Sequence, residues 1–586
     1  KKEIRMQYQK IPLFLFYILI VNVTIGQNIQ TFYWDEENKI KQSEGPFIDG
    51  MESGLWKFWN KTGVLVREVE FKKGEPAGRV TYYYENGKKM NEGYMIKGLL
   101  SGAYSEWYLD GTQKVDGFYD EGYKSGKWLE FYINSKLRSI TEYHSDTAYL
   151  MYYFNTTGDT LVKAGTGKRT LYYPDGKIEE IAFFKEGLKD SLYESYFDNG
   201  EISMKAYYKS GKKTGKEMTW YKTGTLQSEM DHENGIYVLF YETGNKMTEG
   251  RIRNGKKDSI WVSYYPDGIL KTKGKFNNDL KEEMHFNYFE NGEKAVEISY
   301  KTGLKDGDAN WYFEDGTLDI SGQFKNDLRH GIWTYWQTSE LNGKKITTKG
   351  NEGKYENDKM TGVWTWWYPD GRIWKTGEFL NDKQHGKWNV YYENGQIYHE
   401  GEYINGKESG KWKQFFENGK PEMTGFFKDG QPDSTWTALY ENQNPKYTIK
   451  YSKGVKNGYA TYYHENGLKE RTESYLNGTL HGKFETSFPD GTVQVSGFYE
   501  NGKKVGLWVE FAENGAKIRR ETYKNGKRDG IAESWYPNGN IEKQAEYLNG
   551  KLNGMMTSYD RYGNIIYKAK YKENKEIKVF INNKNQ

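Results

Sequence analysis

The chain has 586 residues, no cysteine, and 84 basic against 81 acidic side chains, so its formal net charge is only +3. The lack of cysteine excludes disulfides, cysteine-ligated metal centres, a thiol nucleophile and a lipoprotein anchor. Mixed charge without a basic stripe argues against nucleic acid as a partner. Aromatic residues form 17% of the chain, so rings rather than aliphatic side chains are expected to supply most of the buried surface.

The first predicted element is a targeting segment. Four basic residues among the first ten precede an apolar run at residues 11–21, and Thr24 and Gly26 place small residues before Gln27. This order is typical of a signal peptide cleaved before Gln27. The run is shorter than the roughly 20 residues of a membrane span. We therefore predict a signal peptide at residues 1–26 and a protein that is periplasmic, extracellular or on the cell surface, without a lipid anchor.

A 24-residue repeat occupies most of the remaining chain. Residues 386–409 read GKWNVYYENGQIYHEGEYINGKES, and the stretch from Gly410 reads GKWKQFFENGKPEMTGFFKDGQPD. Self-similarity at such a period indicates stacked structural units, of which we count about 23. Less regular spacing occurs near residues 135–180, 224–244 and 316–371. The prediction is a repeat array at residues 27–574, followed by a C-terminal tail at 575–586.

Each repeat predicts two antiparallel strands. Apolar and polar residues alternate from Trp388, and Asn394-Gly395 is typical of a two-residue turn that needs positive φ. Gly401 falls in the middle of the return strand, where a neighbouring ring is expected to lie across the bare backbone. The sequence therefore predicts an all-β, elongated, solenoid-like array of antiparallel β-hairpins that forms one long twisted sheet. The structural repeat positions are Trp388, Tyr392, Asn394, Gly395, Gly401, Tyr403, Gly406 and Gly410.

The two turns of a repeat are expected to differ in how strongly each requires a glycine with positive φ. Asn405-Gly406 is interpreted as a looser turn between repeats, whereas Gly395 is assigned to the tight hairpin turn. A β-branched residue tolerates positive φ badly. We therefore expect Gly395→Val to destabilise the protein more than Gly406→Val, with an effect confined to neighbouring repeats.

The Y-x-N-G-x-x-x-x-x-G-x-Y-x-N-G-K cadence resembles MORN repeats, in particular the 24-residue bacterial variant that includes YwqK-type antitoxin proteins. The resemblance covers about residues 30–575. It implies an elongated β-hairpin array with a groove that serves protein or lipid contacts and no catalysis. An antitoxin role would imply a cytoplasmic partner, in conflict with the predicted signal peptide.

A second resemblance concerns W-x-x-Y-Y followed by a turn and a mid-strand glycine. This pattern is similar to choline- and glucan-binding cell-wall repeats, although those carry a second Trp where this chain has Tyr403, Phe427 or Phe498. The resemblance implies a carbohydrate or cell-wall binding module as an alternative function.

No stretch of the sequence predicts catalysis or a bound cofactor. His330, His385 and His481 share one repeat position, but Thr361 takes that position in an intervening repeat and no second ligand follows at fixed spacing. Neither a metal nor a cofactor site is therefore predicted, and no carboxylate pair departs from the repeat. The insertion at residues 337–357 reads as a longer hairpin. We expect a protein that is not an enzyme.

Four aromatic residues are the candidate binding surface. Tyr391, Phe415, Tyr462 and Trp366 are expected on the face opposite Trp388, either covered by neighbours and lysine stems or forming a binding strip. The predicted function is an exported, non-catalytic repeat scaffold for protein–protein or envelope interactions. A protein is the first partner predicted, with an envelope glycan or lipid as alternatives, and binding is expected to be distributed along the array.

Overall fold

The computed structural model describes residues 28–583, so the predicted signal peptide lies outside the described residues. Every regular element in that range is a β-strand, and consecutive strands pair antiparallel within each of two compact units, residues 28–252 and 253–583. This confirms the predicted all-β fold of β-hairpin repeats. Residues 28–583 contain no helix long and apolar enough to cross a membrane.

The strands of the first unit are mostly eight or nine residues long. They are β1 Asn28–Tyr33, β2 Lys41–Ile48, β3 Met51–Glu52, β4 Gly54–Trp59, β5 Leu65–Lys72, β6 Glu75–Tyr83, β7 Lys89–Ile96, β8 Leu99–Trp107, β9 Gln113–Asp120, β10 Tyr123–Phe131, β11 Leu137–His144, β12 Thr147–Phe154, β13 Thr160–Lys163, β14 Thr166–Tyr172, β15 Ile178–Lys185, β16 Leu188–Tyr196, β17 Ile202–Lys209, β18 Lys212–Trp220, β19 Leu226–Asp231, β20 Ile236–Phe240 and β21 Lys246–Arg253.

The strands of the second unit follow the same two-strand repeat. They are β22 Lys256–Tyr264, β23 Leu270–Asn277, β24 Leu280–Tyr288, β25 Lys294–Lys301, β26 Leu304–Tyr312, β27 Leu318–Lys325, β28 Leu328–Leu341, β29 Lys344–Glu356, β30 Lys359–Trp367, β31 Ile373–Leu380, β32 Lys383–Tyr391, β33 Ile397–Ile404, β34 Lys407–Phe415, β35 Pro421–Lys428, β36 Gln431–Leu439, β37 Pro445–Ser452, β38 Val455–Tyr463, β39 Lys469–Leu476, β40 Thr479–Ser487, β41 Val493–Glu500, β42 Lys503–Phe511, β43 Lys517–Lys524, β44 Lys527–Trp535, β45 Ile541–Leu548, β46 Lys551–Tyr559, β47 Ile565–Lys572 and β48 Lys575–Asn582.

Rings packed on glycines form much of the core, along one side of the sheet that we call the core face, and aliphatic residues take their place in part of the first unit. Trp412 lies across Gly401, so that a Cβ built on Gly401 would stand 2.2 Å from the indole ring. Tyr403 packs edge-on against the same ring, with centroids 5.2 Å apart. The same glycine–tryptophan pairing recurs at Gly117 and Trp128 and in several other repeats. The expected ring over the mid-strand glycine is therefore present.

Indole N–H groups fasten the core rings to the backbone. Trp388 donates from Nε1 to the carbonyl of Glu378 at 3.1 Å, and Trp128, Trp333, Trp364, Trp436 and Trp508 make equivalent bonds at 3.1–3.3 Å. His285 replaces the Trp in one repeat, lies over Gly274 and shares a hydrogen bond with the Lys275 carbonyl at 2.8 Å. Each of these rings is thus fixed to the strand of the preceding hairpin, which couples neighbouring repeats, whereas Trp412 Nε1 is buried without a hydrogen-bond partner among the described residues.

The two turns of a repeat are the reverse of those predicted. Asn405 and Gly406 both have positive φ, 51° and 83°, and Ile404 pairs directly with Lys407. These angles define a two-residue type I′ turn. The other connection is wider, because Tyr392 donates to the Gln396 carbonyl, Gly395 donates to the Tyr392 carbonyl, and only Gly395, at φ 88°, has a positive φ. The assignment of the tight turn to Asn394-Gly395 was therefore wrong.

We now expect Gly395→Val and Gly406→Val to destabilise the protein by similar amounts, each by more than about 1 kcal/mol. Both glycines have positive φ, and a Cβ would meet no atom within 4 Å at either, so backbone strain alone decides the outcome. Urea unfolding of the two variants measures this. Gly406→Asn is the control, because Asn574 and Asp382 occupy the equivalent position at φ 69° and 66°. A Gly406→Val variant as stable as the parent would contradict the turn assignment.

The glycine that opens each repeat marks a bulge. Glu402 pairs with Ser409 and Glu400 pairs with Lys413, so the second strand carries two extra residues around Gly410, whose φ is 70°. Such a bulge requires a residue that adopts the left-handed conformation. The left-handed conformation is therefore a backbone requirement of this repeat position, and Ser434 adopts it in the next repeat at φ 61°.

The irregular segments are local variations on the hairpin. Strands β13, β19 and β20 are short, and β28 and β29 form the long hairpin predicted for residues 337–357, which turns at Asn342 and Gly343. The hairpin is fixed to neighbouring turns by Ser339 and Thr348, which both donate to the Pro369 carbonyl. The predicted tail at 575–586 was wrong, because Lys575–Asn582 forms β48 and pairs with β47.

Candidate functional site: the outer face

The side of the sheet opposite the core rings, here called the outer face, carries one aromatic residue directly before nearly every wide turn. We call this set the outer aromatic row. Leu439 and Ser487 are the exceptions, and Tyr172 is exposed while the other members are half-buried. In the first unit the row consists of Trp59, Tyr83, Trp107, Phe131, Phe154, Tyr172, Tyr196, Trp220 and Phe240. In the second unit it consists of Tyr264, Tyr288, Tyr312, Trp367, Tyr391, Phe415, Tyr463, Phe511, Trp535 and Tyr559.

Acidic side chains hold parts of this row in place. Tyr83 donates its hydroxyl to Glu68 Oε2 and Tyr312 donates to Glu297 Oε1, each at 2.6 Å. Burial and these hydrogen bonds raise the pKa of Tyr83 and of Tyr312 to about 12. Burial alone would raise the pKa of Glu297, but hydrogen bonds from Tyr312, Asn310 and Lys294 outweigh it, so that pKa lies below its usual value. These members stay neutral phenols at physiological pH.

The structure divides the four candidate aromatic residues between the two faces. Tyr391 and Phe415 belong to the outer aromatic row, as predicted. Trp366 instead packs on Trp364 and Trp388, with centroids 6.1 and 5.8 Å apart. Tyr462 lies two residues from the buried Ala460 on the same strand and packs on Tyr447. The predicted outward position of Trp366 and Tyr462 was wrong, since residues two apart on a strand share a face.

A polar row runs beside the aromatic row on the outer face. The core ring position is the one that Trp388 and Trp412 occupy in their repeats. The members of the polar row are the residue directly after this position and the cross-strand partner of that residue. Thr81 donates to Glu92 at 3.0 Å, Thr334 donates to Glu352 at 2.8 Å, and Lys413 bridges Glu400 at 2.6 Å. Cross-strand pairs of this kind contribute modestly, each about 0.2–1 kcal/mol. The sequence analysis did not predict this pairing.

The third row of the outer face is the most exposed. It consists of the residue before each core ring position and the residue after each mid-strand glycine, as in the cross-strand pair Lys411 and Phe426. Large apolar side chains stand here with 41–64% of their surface exposed, among them Tyr94, Phe118, Phe426, Tyr459 and Phe498. Because this row does not support the core, its residues vary freely between repeats.

The wide turns are linked to one another by side chains that sequence reasoning did not connect. Tyr392 donates its hydroxyl to the Phe415 carbonyl at 2.9 Å, and Asn394 donates from Nδ2 to the Glu417 carbonyl at 2.8 Å. Equivalent bonds span 23 residues elsewhere, for example from Tyr84 to Trp107. The 24-residue recurrence of Tyr-x-Asn-Gly is the signal that would have indicated this ladder.

The histidines do not form a metal centre in this part of the chain. His330, His385 and His481 lie in different hairpins, and the Nδ1 atom of each is buried without a hydrogen-bond partner. Across residues 28–583, no group of three or more His, Asp or Glu side chains is arranged to hold a metal ion. A recess of about 350 Å³ is lined by His481, Phe498 and Tyr499.

The fold and the outer face define the protein as a β-hairpin repeat array. The model of the MORN repeat variant matches it at residues 52–73, 77–97, 166–186, 257–278, 305–326, 360–381, 384–405, 408–429 and 528–549. The chain therefore carries MORN-variant repeats, and the resemblance seen in the sequence is confirmed. No curated protein matches the chain in sequence.

Solved structures resemble the chain only weakly. A Tc holotoxin pore of Photorhabdus luminescens is 10% identical, with a TM-score of 0.13 over 92% of this chain and 27% of that chain. A TcdB2–TccC3 crystal structure is 11% identical, with a TM-score of 0.11 over 94% of this chain and 33% of that one. The chain spans about a third or less of these proteins' length, and such low TM-scores support no inference about its function.

Proposed function

We propose that the chain is an exported, non-catalytic repeat scaffold that binds a protein partner through its outer aromatic row. The observation that carries this proposal is the recurrence of a half-buried Tyr, Trp or Phe at the same outer-face position in nearly every repeat. Tyr and Trp are enriched where proteins meet, because they bury a large area and still offer a polar group.

The spacing of the row favours distributed binding. With two strands per repeat, successive row members stand about 10 Å apart. Tyr391 and Phe415 occupy this spacing in adjacent repeats. A partner that engages several members gains affinity from their number rather than from any one contact. Export rests on the signal-like sequence at residues 1–26, and recovery of a soluble cytoplasmic form that retains this segment would contradict it.

We expect binding to weaken gradually as row members are removed. The full chain would first capture its partner from a cell-envelope fraction, and calorimetry against the purified partner would then follow Tyr391→Ala, Phe415→Ala, Trp367→Ala and Tyr463→Ala, singly and combined. Each single change is expected to lower affinity by about fivefold, and the combination by far more. Ile404→Ser, at an exposed turn position, is the matched control and should leave affinity unchanged.

Two outcomes would contradict the proposed function. Abolition of binding by one single substitution, in a variant that still folds, would indicate a single site. Full affinity in the fourfold variant would show that the partner binds elsewhere. Far-UV circular dichroism and melting curves identify variants that lose binding only because they unfold.

A further inference from the structure

Nine adjacent strands of the second unit, β34 to β42, carry an ordered pattern in the exposed row of the outer face. The pattern repeats every three strands: the first strand carries a lysine, the second an aromatic residue, and the third another residue. The third residue is Thr435, Ser474 or Leu507. At about 4.8 Å per strand, each type of residue returns about every 14 Å. We call this stretch the lysine–aromatic track. Its principal members are Lys411, Phe426, Lys450, Tyr459, Lys483 and Phe498.

The track is exposed and has a positive charge. Phe426, Tyr459 and Phe498 are 41%, 64% and 49% exposed. No acidic residue occurs in this row from β34 to β42. Among the described residues, neither Lys411 nor Lys450 has a carboxylate within ion-pair distance, whereas Lys483 bridges Glu485 at 2.8 Å. By contrast, the same row contains Glu378 and Glu402 in the strands just before the track.

A line of hydroxyl groups runs parallel to the track in the polar row. Thr437, Thr448, Thr461 and Thr472 lie on four adjacent strands and pair directly across them. All four are half-buried, and within residues 28–583 none of their hydroxyls hydrogen bonds to a protein group. Elsewhere in the polar row, threonine hydroxyls donate hydrogen bonds to protein groups, as Thr334 does to Glu352. Half-buried polar groups without protein partners require water or a ligand to satisfy them.

We infer that the lysine–aromatic track binds an acidic polysaccharide laid along the sheet, across the strands. Three chemical features of that ligand match the three features of the surface. Carboxylate groups suit Lys411 and Lys450, the apolar faces of sugar rings suit the exposed rings of Tyr459 and Phe498, and sugar hydroxyls suit the threonine line. This site is separate from the outer aromatic row and therefore adds a second ligand to the proposed function.

The inference is tested by binding of the full chain to defined polymers. Polygalacturonate and alginate are the acidic probes, dextran is the neutral glycan, and poly-L-glutamate supplies carboxylates without sugar. We expect binding to the two acidic glycans, weakened at high ionic strength because the lysines are exposed, and much weaker binding to dextran and poly-L-glutamate. Equal affinity for poly-L-glutamate would reduce the track to a general anion or peptide surface and overturn the inference, as would binding to dextran alone or to no probe.

Substitutions in the full chain assign binding to the track. Lys411→Glu with Lys450→Glu, and Tyr459→Ala with Phe498→Ala, are each expected to lower affinity for polygalacturonate by about tenfold or more. Thr448→Val with Thr461→Val removes two hydroxyls at nearly constant shape and should lower it by a smaller factor. Tyr94→Ala, 52% exposed in the same row of the first unit, is the matched control. Unchanged affinity in the lysine pair or in the aromatic pair, or equal loss in the control, would overturn the assignment.

Discussion

Replacing Trp364 by alanine is expected to destabilise the second unit by about 3–5 kcal/mol. Trp364 is 2% exposed and lies over Gly353. It packs edge-on against Tyr355 with centroids 5.1 Å apart and donates from Nε1 to the Lys354 carbonyl at 3.3 Å. Because glycine contributes no side chain beneath the ring, Gly353 cannot fill the cavity that alanine leaves.

The loss should be confined to neighbouring repeats. In an array of hairpins each repeat contacts mainly its neighbours, so local opening competes with global unfolding. Hydrogen exchange followed by mass spectrometry should show lost protection around β29 to β32 and unchanged protection in distant strands, together with a lower urea midpoint. The control is Val363→Ala, the next residue of the same strand, which is 60% exposed and should change stability by less than about 0.5 kcal/mol. A Trp364→Ala variant with the parent's midpoint would contradict the role of the ring.

The repeat unit and its strands could be predicted because they rest on local patterns. The 24-residue period, the alternation around Trp388 and the bare backbone at Gly401 all act within one hairpin or between neighbours. Misplacement of Trp366 and Tyr462 was an error of phase, since each lies two residues after a core ring position and shares its face. The sequence contained enough information to avoid that error.

The type of each turn could not be predicted from its Asn-Gly dipeptide. Asn394-Gly395 and Asn405-Gly406 have the same letters, yet only Asn405 adopts positive φ together with its glycine. Strand pairing decides the difference: Ile404 pairs directly with Lys407, whereas Tyr391 pairs with Ile397 across a wider connection. Such pairing depends on the register of the whole hairpin, which the turn residues alone do not specify.

The rows of the outer face were beyond sequence reasoning for a related reason. The lysine–aromatic track joins residues from different repeats, and its alignment depends on the two extra residues at each bulge such as Gly410. The threonine line likewise emerges only when Thr448 and Thr461 are placed on adjacent strands. The core positions recur in every repeat. A binding surface instead arises from residues that differ between repeats, and it can be located only after the strand register is known.

Gly401→Ala is expected to destabilise the protein by about 1–3 kcal/mol, although alanine is ordinarily no worse than glycine in a strand. Gly401 is not among the residues with positive φ, so backbone strain makes no contribution. The added methyl group would stand 2.2 Å from two atoms of the Trp412 ring, a distance that real contacts do not allow, so the ring must leave its position.

A double-mutant cycle separates this clash from other effects. Trp412→Ala removes the ring that the methyl group would displace, so Gly401→Ala should cost little in that background, and the coupling energy should reach about 1–3 kcal/mol. Gly350→Ala is the control, because Gly350 also lies within a strand but has no ring over it and its nearest neighbour would be the Tyr335 carbonyl at 3.3 Å. Additive losses in the cycle, measured by urea unfolding, would show that Gly401 is required for a reason other than the tryptophan that lies on it.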